Sequence, residues 1–161
     1  METRVVAVDG LGGAGKSTFA ERLVRELGGA RVVHTDDFAS WEDPIDWWPL
    51  LLERVLRPLA ENRRASFVPN PWGGPPKPEV LVEPGGFVVL EGVTASREAF
   101  RPYLTYAVWI ETPRDVRLRR GLERDGEAMR AEWEAWMAAE DSYLAQERPD
   151  LRADAVVLGD R

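Results

Sequence analysis

Gly10-Leu11-Gly12-Gly13-Ala14-Gly15-Lys16-Ser17 satisfies the pattern G-x-x-x-x-G-K-[S/T]. It follows Val5-Val6-Ala7-Val8, a short apolar β-branched run, and precedes Thr18–Leu27, where Phe19, Leu23 and Leu27 recur at helical spacing. Strand, glycine loop and helix in that order make the pattern read as a phosphate-binding loop rather than a plain turn. Glycine reaches positive φ at no steric cost, so the N–H groups of Gly10 through Thr18 can converge on phosphate oxygens. The helix beyond adds its unpaired N-terminal donors and the positive end of its dipole. In such a loop Lys16 reaches the β- and γ-phosphates of a nucleotide, and the Ser17 hydroxyl coordinates Mg²⁺.

Working outward, short β-rich runs recur at Val5–Val8, Arg31–Val33, Phe87–Leu90, Ala107–Ile110 and Ala155–Leu158. Most are continuous rather than alternating, as expected of strands covered on both faces. Helical patterns lie between them at 15–27, 45–60, 113–124 and 126–147, and Pro49 and Pro58 mark a start or a bend in the second. The alternation predicts a three-layer α/β sandwich in a single domain over 1–161: a five-stranded, mostly parallel sheet with helices on both faces. Residues 61–86 interrupt the rhythm with six prolines and four glycines. Ser66-Phe67-Val68 and Val80-Leu81-Val82 flank the Pro/Gly stretch and can pair as a hairpin, which makes the whole segment a candidate binding loop or lid.

The chain has 161 residues, a net charge of −7 and no cysteine. One domain of this length buries enough surface to fold without staples. The absence of cysteine excludes disulfides and zinc–thiolate sites and suits a reducing compartment. No signal-peptide pattern or membrane-length apolar run is present, so a soluble, cytoplasmic protein without a membrane partner is expected. The acidic balance argues against general nucleic-acid binding and requires any positive charge for a nucleotide to be local.

Acids end two of the strands. His34-Thr35-Asp36-Asp37-Phe38 follows the second, and in an open α/β sheet ligands gather at the carboxyl ends of strands. Asp36 there can accept a proton from an acceptor hydroxyl; Asp37 reads equally as functional or as a turn cap. His34, the one histidine, reads as a packing or supporting residue. Val88-Val89-Leu90-Glu91 is an apolar strand ending in an acid, with Glu91 a candidate for Mg²⁺ directly or through water. Asp9 either lies near metal or substrate or accepts loop N–H bonds. Arg117, Arg120 and Arg124 share a helix face, a lid poised for a transferring phosphate or a solvated surface. Of seven tryptophans, Trp133 and Trp136 follow a packing pattern with Met137, Glu140 and Leu144. Trp41, Trp47, Trp48 and Trp72 cluster around the acidic loop and the Pro/Gly segment, as a stacking surface or as core.

Together these residues resemble the uridine kinase-like family of P-loop kinases. The family's phosphate loop, D-S-F-Y, E-G and arginine-rich lid find counterparts in Gly10–Ser17, Asp36-Asp37-Phe38-Ala39, Glu91-Gly92 and Arg117 through Arg124. The resemblance implies strand order 2-3-1-4-5, a lid over about 113–130 and ATP and Mg²⁺ as cofactors. It further implies Asp36 as general base, Asp46 as a contact for acceptor hydroxyls and the Gly159-Asp160 loop beside adenine. Lys16, Arg120 and Arg124 would stabilise transferred charge, Arg120 touching substrate as well. The partner implied is a small-molecule hydroxyl. Pro69-Asn70-Pro71-Trp72-Gly73-Gly74 lacks the tyrosine, aspartate and histidine with which uridine kinases read a pyrimidine nucleoside, and Ala39 replaces a tyrosine. An acceptor other than uridine or cytidine is therefore expected, with Trp72 as a stacking contact. The competing readings are a phosphate-acceptor kinase of the nucleoside monophosphate type and a nucleotide-binding regulatory module without phosphotransfer. For the former, 36–60 supplies only Arg54 and Arg57.

Overall fold

The computed structural model of the protein describes residues 1–160. β1 (Thr3–Gly10) runs through the glycine loop into α1 (Lys16–Glu26) and then β2 (Arg31–His34). α2 (Trp48–Leu51) and α3 (Arg57–Ala60) are joined by a π-helical turn at Leu52–Leu56. The hairpin strands β3 (Ala65–Phe67) and β4 (Val80–Val82) precede β5 (Gly86–Glu91) and β6 (Leu104–Glu111). α4 (Arg114–Asp125), α5 (Arg130–Glu147) and the one-turn α6 (Pro149–Arg152) lead to β7 (Ala155–Leu158).

The main sheet has five strands in the order β2-β5-β1-β6-β7, every neighbouring pair parallel. Counted along the chain without the hairpin, that is the order 2-3-1-4-5. Alternate residues of each strand serve opposite layers. Val5, Ala7, Val88 and Leu90 pack with Leu51, Val55, Leu56 and Leu59 of the α2–α3 stretch and with Phe67 and Val82 of the hairpin. Val8, Val89, Val108 and Ile110 pack on the other side, against Phe19, Leu23 and Leu27 around α1. Each such side chain, fully buried, contributes about 1.5–3 kcal/mol, so the two layers fix the sheet and with it the loops at its carboxyl edge.

Departures from the sequence reading have local causes. The second helix starts at Trp48 rather than near 45, with Pro49 in the first turn where its missing N–H has no partner to lose. Pro58 follows directly on the π turn, where the widened ladder accommodates the missing donor. Gly126, at φ +96°, ends α4, and a 3₁₀ turn at Glu127–Met129 delays α5 to Arg130. β6 starts at Leu104, ahead of the apolar run, because its first turns pair with β1 while Thr105 and Tyr106 stay exposed. The hairpin forms with Ala65 opposite Val82 and Phe67 opposite Val80, leaving Val68 outside it.

Candidate active site

The glycine loop turns between β1 and α1 at the carboxyl edge of the sheet. Of its four glycines, Gly13 (φ +80°) and Gly15 (φ +101°) take the left-handed region, whereas Gly10 and Gly12 do not. A Cβ on Gly13 would stand 2.6 Å from the Arg117 carbonyl oxygen, so the loop also needs glycine to pass under α4. α1 begins at Lys16 with no side-chain cap. Its first N–H groups, of Lys16, Ser17 and Thr18, therefore have no intrahelical acceptor and face outward for an anion. Lys16 is largely enclosed, its Nζ donating to the Leu11 carbonyl at 3.0 Å.

Above the loop opens a cleft of about 800 Å³. Its floor is Gly12, Gly13, Gly15, Lys16, Ser17 and Thr18; Asp36, Asp37 and Glu91 form one side, and Arg120, Arg124 and Asp125 the other. The far wall carries Trp41, Trp72, Lys77, Trp133 and Trp136. Gly10, Leu11 and Ala14 lie beneath this floor as its support; Ala14 is fully buried, and its carbonyl accepts from Thr112 Oγ1. Asp46 is not among the lining residues: it is exposed on the segment before α2, its N–H bonded to Asp43.

Asp36 follows β2 in a short 3₁₀ turn and is open to the cleft, ringed by protein on its other sides. Desolvation pushes its carboxyl above the usual aspartate range against the pull of Lys16, and no hydrogen bond is among the influences on it. Asp37 shares the upward direction for the same cause, opposed by His34 and Lys77. Glu91 differs. Enclosure would raise it, but the His34 hydrogen bond and the Lys16 charge outweigh that and hold it below the ordinary range. His34 Nδ1 meets Glu91 Oε2 at 2.7 Å, leaving Oε1 to accept from Ser17 Oγ at 3.3 Å. That bond to Glu91 is also what raises the His34 pKa. Gly92, at φ +141°, turns the chain away after Glu91, and a Cβ there would sit 1.9 Å from Thr35 Oγ1. Of the two readings for Asp9, the structure selects loop bracing. Its enclosed carboxylate accepts from the N–H groups of Gly10, Thr94 and Ser96, from Ser96 Oγ and from Tyr143.

The arginine face divides. Arg117 turns into the interior, its Nε donating to the Thr112 carbonyl at 3.0 Å. Arg120 lines the cleft and bridges two loops, Nη1 to the Gly13 carbonyl at 3.1 Å and Nη2 to the Gly159 carbonyl at 2.9 Å. Arg124 bonds Asp125 and lies 5.7 Å from the Trp133 ring centre. The Gly159 loop thus closes on the phosphate loop.

The tryptophans also sort by structure. Trp47 is buried against Phe38, and Trp48 lies under Arg97, so both belong to the core side. Trp41, Trp72 and Trp136 form a cluster with ring centres 5.3–5.9 Å apart. Trp136, read from its spacing as packing, is therefore part of the cleft wall. Trp72 holds φ +52° and donates Nε1 to the Asp36 carbonyl at 2.8 Å. Asn70 pins the same segment, its N–H on the Asp37 carbonyl at 2.7 Å and its Nδ2 on the Ala39 carbonyl at 2.6 Å. Lys77, in the Pro/Gly stretch, lines the cleft and escaped the sequence reading. Glu140 does not line the cleft but bonds the loop beneath it, and it carries a readable signal: an acid on the buried stripe of α5.

Three solved structures place the arrangement. One, described as a possible uridine kinase from Bacillus stearothermophilus, superposes with TM-score 0.73 at 24% identity, covering 98% of this chain and 89% of that one. A sugar kinase from Janibacter sp. gives 0.59 at 19%, covering 99% and 87%. A shikimate kinase from Bacteroides thetaiotaomicron gives 0.50 at 18%, covering 98% and 86%. The chain has the P-loop kinase fold. At these identities the likeness establishes that fold and nothing finer. The sequence matches no family model and no curated protein. Among the described residues, no helix is long and apolar enough to cross a membrane.

Proposed function

We propose that the protein is an ATP- and Mg²⁺-dependent kinase that phosphorylates a hydroxyl of an uncharged small molecule. The observation that carries the reading is convergence. Lys16, the Ser17–Glu91 oxygen pair, Asp36 and the two arginines Arg120 and Arg124 line one cleft on a P-loop kinase fold. The donor set fits the metal: two hard oxygens, Ser17 Oγ and Glu91 Oε1, lie together beside the glycine loop, and Mg²⁺ completes such a site with phosphate oxygens and water. Bound there, Mg²⁺ neutralises charge on the β- and γ-phosphates. His34 holds the second Glu91 oxygen and keeps the first aimed at Ser17. Asp36, carrying no hydrogen bond of its own, accepts the acceptor's proton and orients its oxygen for attack. Lys16, Arg120 and Arg124 supply the positive charge on which the transferred group depends. Arg120 has five N–H donors and spends one on each of two carbonyls, which leaves three for phosphate.

The acceptor end is an aromatic wall rather than a polar one. Trp72 and Trp136 spend their indole N–H groups on Asp36 and Glu140, so they offer ring surface only. Such a wall suits an acceptor with an apolar or planar face, and disfavours recognition of a pyrimidine edge. Lys77 is the one feature favouring the second reading, a phosphate-bearing acceptor; its charge is offset by Asp37 nearby. ADP release with Mg²⁺-ATP across panels of nucleosides, sugars, other hydroxylated aromatic compounds and nucleoside monophosphates tests both, with ATP alone as background. Acceptor-dependent turnover of a neutral alcohol is the expected result. Turnover only with monophosphates selects the second reading, and no acceptor-dependent turnover by a protein that binds ATP returns the chain to a regulatory module.

A further inference from the structure

Glu140 is, with Asp9, one of two fully enclosed acids that phosphotransfer, as described above, does not use. It sits on α5, fully buried, opposite the glycine loop. One oxygen, Oε2, accepts from the Gly12 N–H at 2.7 Å and from Trp136 Nε1 at 3.1 Å. Trp136 packs on Trp41 and Trp72, and Trp72 donates to the backbone of Asp36. A single carboxylate oxygen thus joins the nucleotide floor of the cleft to its acceptor wall, and the wall in turn touches the base. A buried carboxylate is costly and is retained where its bonds hold something in place. Its stripe neighbours Trp133 and Met137 are apolar, and its other oxygen, Oε1, faces the buried Arg117, with Nη1 4.0 Å away. Both of those facing atoms lack a hydrogen-bond partner.

We infer that Glu140 is a positioning residue that presets the glycine loop for phosphate and couples the loop to the tryptophan wall. The inference rests on the kinase reading for what the loop binds. The physical content is pre-organisation. Gly12 lies in a run of glycines with wide backbone freedom, and one charge-assisted bond from a rigid helix removes that freedom before the nucleotide arrives. A loop in the competent shape only a tenth of the time binds about tenfold more weakly.

The test needs no acceptor. Full-length wild type, Glu140→Gln and Glu140→Met are titrated with a non-hydrolysable ATP analogue and Mg²⁺ by calorimetry, with tryptophan emission followed at saturation and thermal unfolding measured alongside. Glu140→Gln keeps a carbonyl oxygen for Gly12 and Trp136, so affinity within about threefold of wild type and a retained emission response are expected. Glu140→Met keeps the volume and removes the acceptor; it should bind at least about tenfold more weakly and lose the emission response even at saturation. A folded Glu140→Met that binds and responds like wild type overturns the proposal, because a merely structural role moves only the unfolding temperature. If Glu140→Met does not fold, Glu140→Gln decides: a tenfold loss in the folded protein overturns the proposal, and retention supports it. Failure of wild type itself to bind the analogue sinks the kinase reading instead, and that result comes from wild type alone.

Discussion

Arg120→Ala separates two jobs that the arginine helix performs. The guanidinium makes two hydrogen bonds, at 3.1 and 2.9 Å, to carbonyls of the phosphate loop and of the loop after β7. Bonds to a charged donor contribute about 1.5–3 kcal/mol each, and these are only partly shielded, so the lower figure applies and the pair stabilises by about 3 kcal/mol. In a chain of this size 1 kcal/mol moves the unfolding midpoint by about 2–4 °C, which puts Arg120→Ala about 6–12 °C below wild type without nucleotide. Releasing the loops also frees Gly13, so ATP affinity should fall together with kcat. Arg124 is the control. It ties only its neighbour Asp125 and lies against Trp133, and its side chain is 71% exposed. Arg124→Ala should therefore leave the midpoint within the small range of surface changes, about 0.5 kcal/mol, and ATP affinity nearly intact, while kcat falls. Calorimetry, nucleotide titration and steady-state kinetics on both variants give the comparison. An Arg120→Ala protein with a wild-type midpoint and wild-type ATP affinity would refute the bracing role. Unchanged kcat in both variants would return the helix to ordinary surface.

Lys16→Ala should fold normally and lose about 10²–10³ in kcat/KM, the usual cost of one charged transition-state contact, as read by single-turnover kinetics. Asp36→Asn should lower kcat far more than it changes ATP affinity, because the amide keeps the shape and cannot take the proton; Asp37→Asn, in parallel, checks which acid is the base. Since desolvation places Asp36 above the ordinary aspartate range, the acid limb of the kcat/KM profile should lie at higher pH than free aspartate would give, and it should vanish in Asp36→Asn. The sign for stability follows from the same direction. A carboxyl raised on folding contributes most stability below its unfolded pKa and loses it as pH rises through the folded value. Asp36→Asn should accordingly shift urea denaturation to higher concentration at neutral pH, by an amount muted by the water in the cleft. Trp72→Ala should raise the acceptor KM with ATP affinity unchanged, and Trp72→Phe should recover part of it through the ring; equal KM values in all three proteins would remove Trp72 from the acceptor site.

What the sequence disclosed, and what it withheld, follows from range. The glycine loop is local: one continuous stretch of strand, turn and helix carries its own geometry, so Lys16 and Ser17 were legible without a fold. Asp36 and Glu91 were legible one level up, because strands of a parallel sheet deliver their carboxyl ends to one edge. Asp46 lay beyond that reach. It was placed by analogy alone, and the irregular stretch before α2 leaves it outside the cleft. The tryptophans show the same limit from the other side. Trp136 has the spacing of a packing residue and does pack, but the surface it packs against is Trp41 and Trp72, which come from distant loops. Lys77 sits in a Pro/Gly stretch with no period to read. For Glu140 the signal was present in the helical stripe, and only the fold shows the Gly12 N–H that gives it meaning.

The carboxylates around this cleft show how partner sets distinguish bracing from chemistry. Asp9 and Glu140 are both fully enclosed, and both are committed to donors from the chain: five for Asp9, two on one oxygen for Glu140. The oxygens carrying these bonds are occupied before any ligand arrives, and Glu140 Oε1, which has no hydrogen bond, is enclosed beside Arg117 rather than open to the cleft. Glu91 is intermediate. One oxygen is fixed by His34, and the other faces a hydroxyl 3.3 Å away that a hard cation can share. Asp36 and its neighbour Asp37 line the open cleft with no hydrogen bond among the influences on either carboxyl, and of the two it is Asp36 on which the Lys16 charge acts. A general base must have its proton-accepting oxygen free in the resting state. That condition admits Asp36 and Asp37, and the Lys16 charge acting on Asp36 is the feature that favours it as the base.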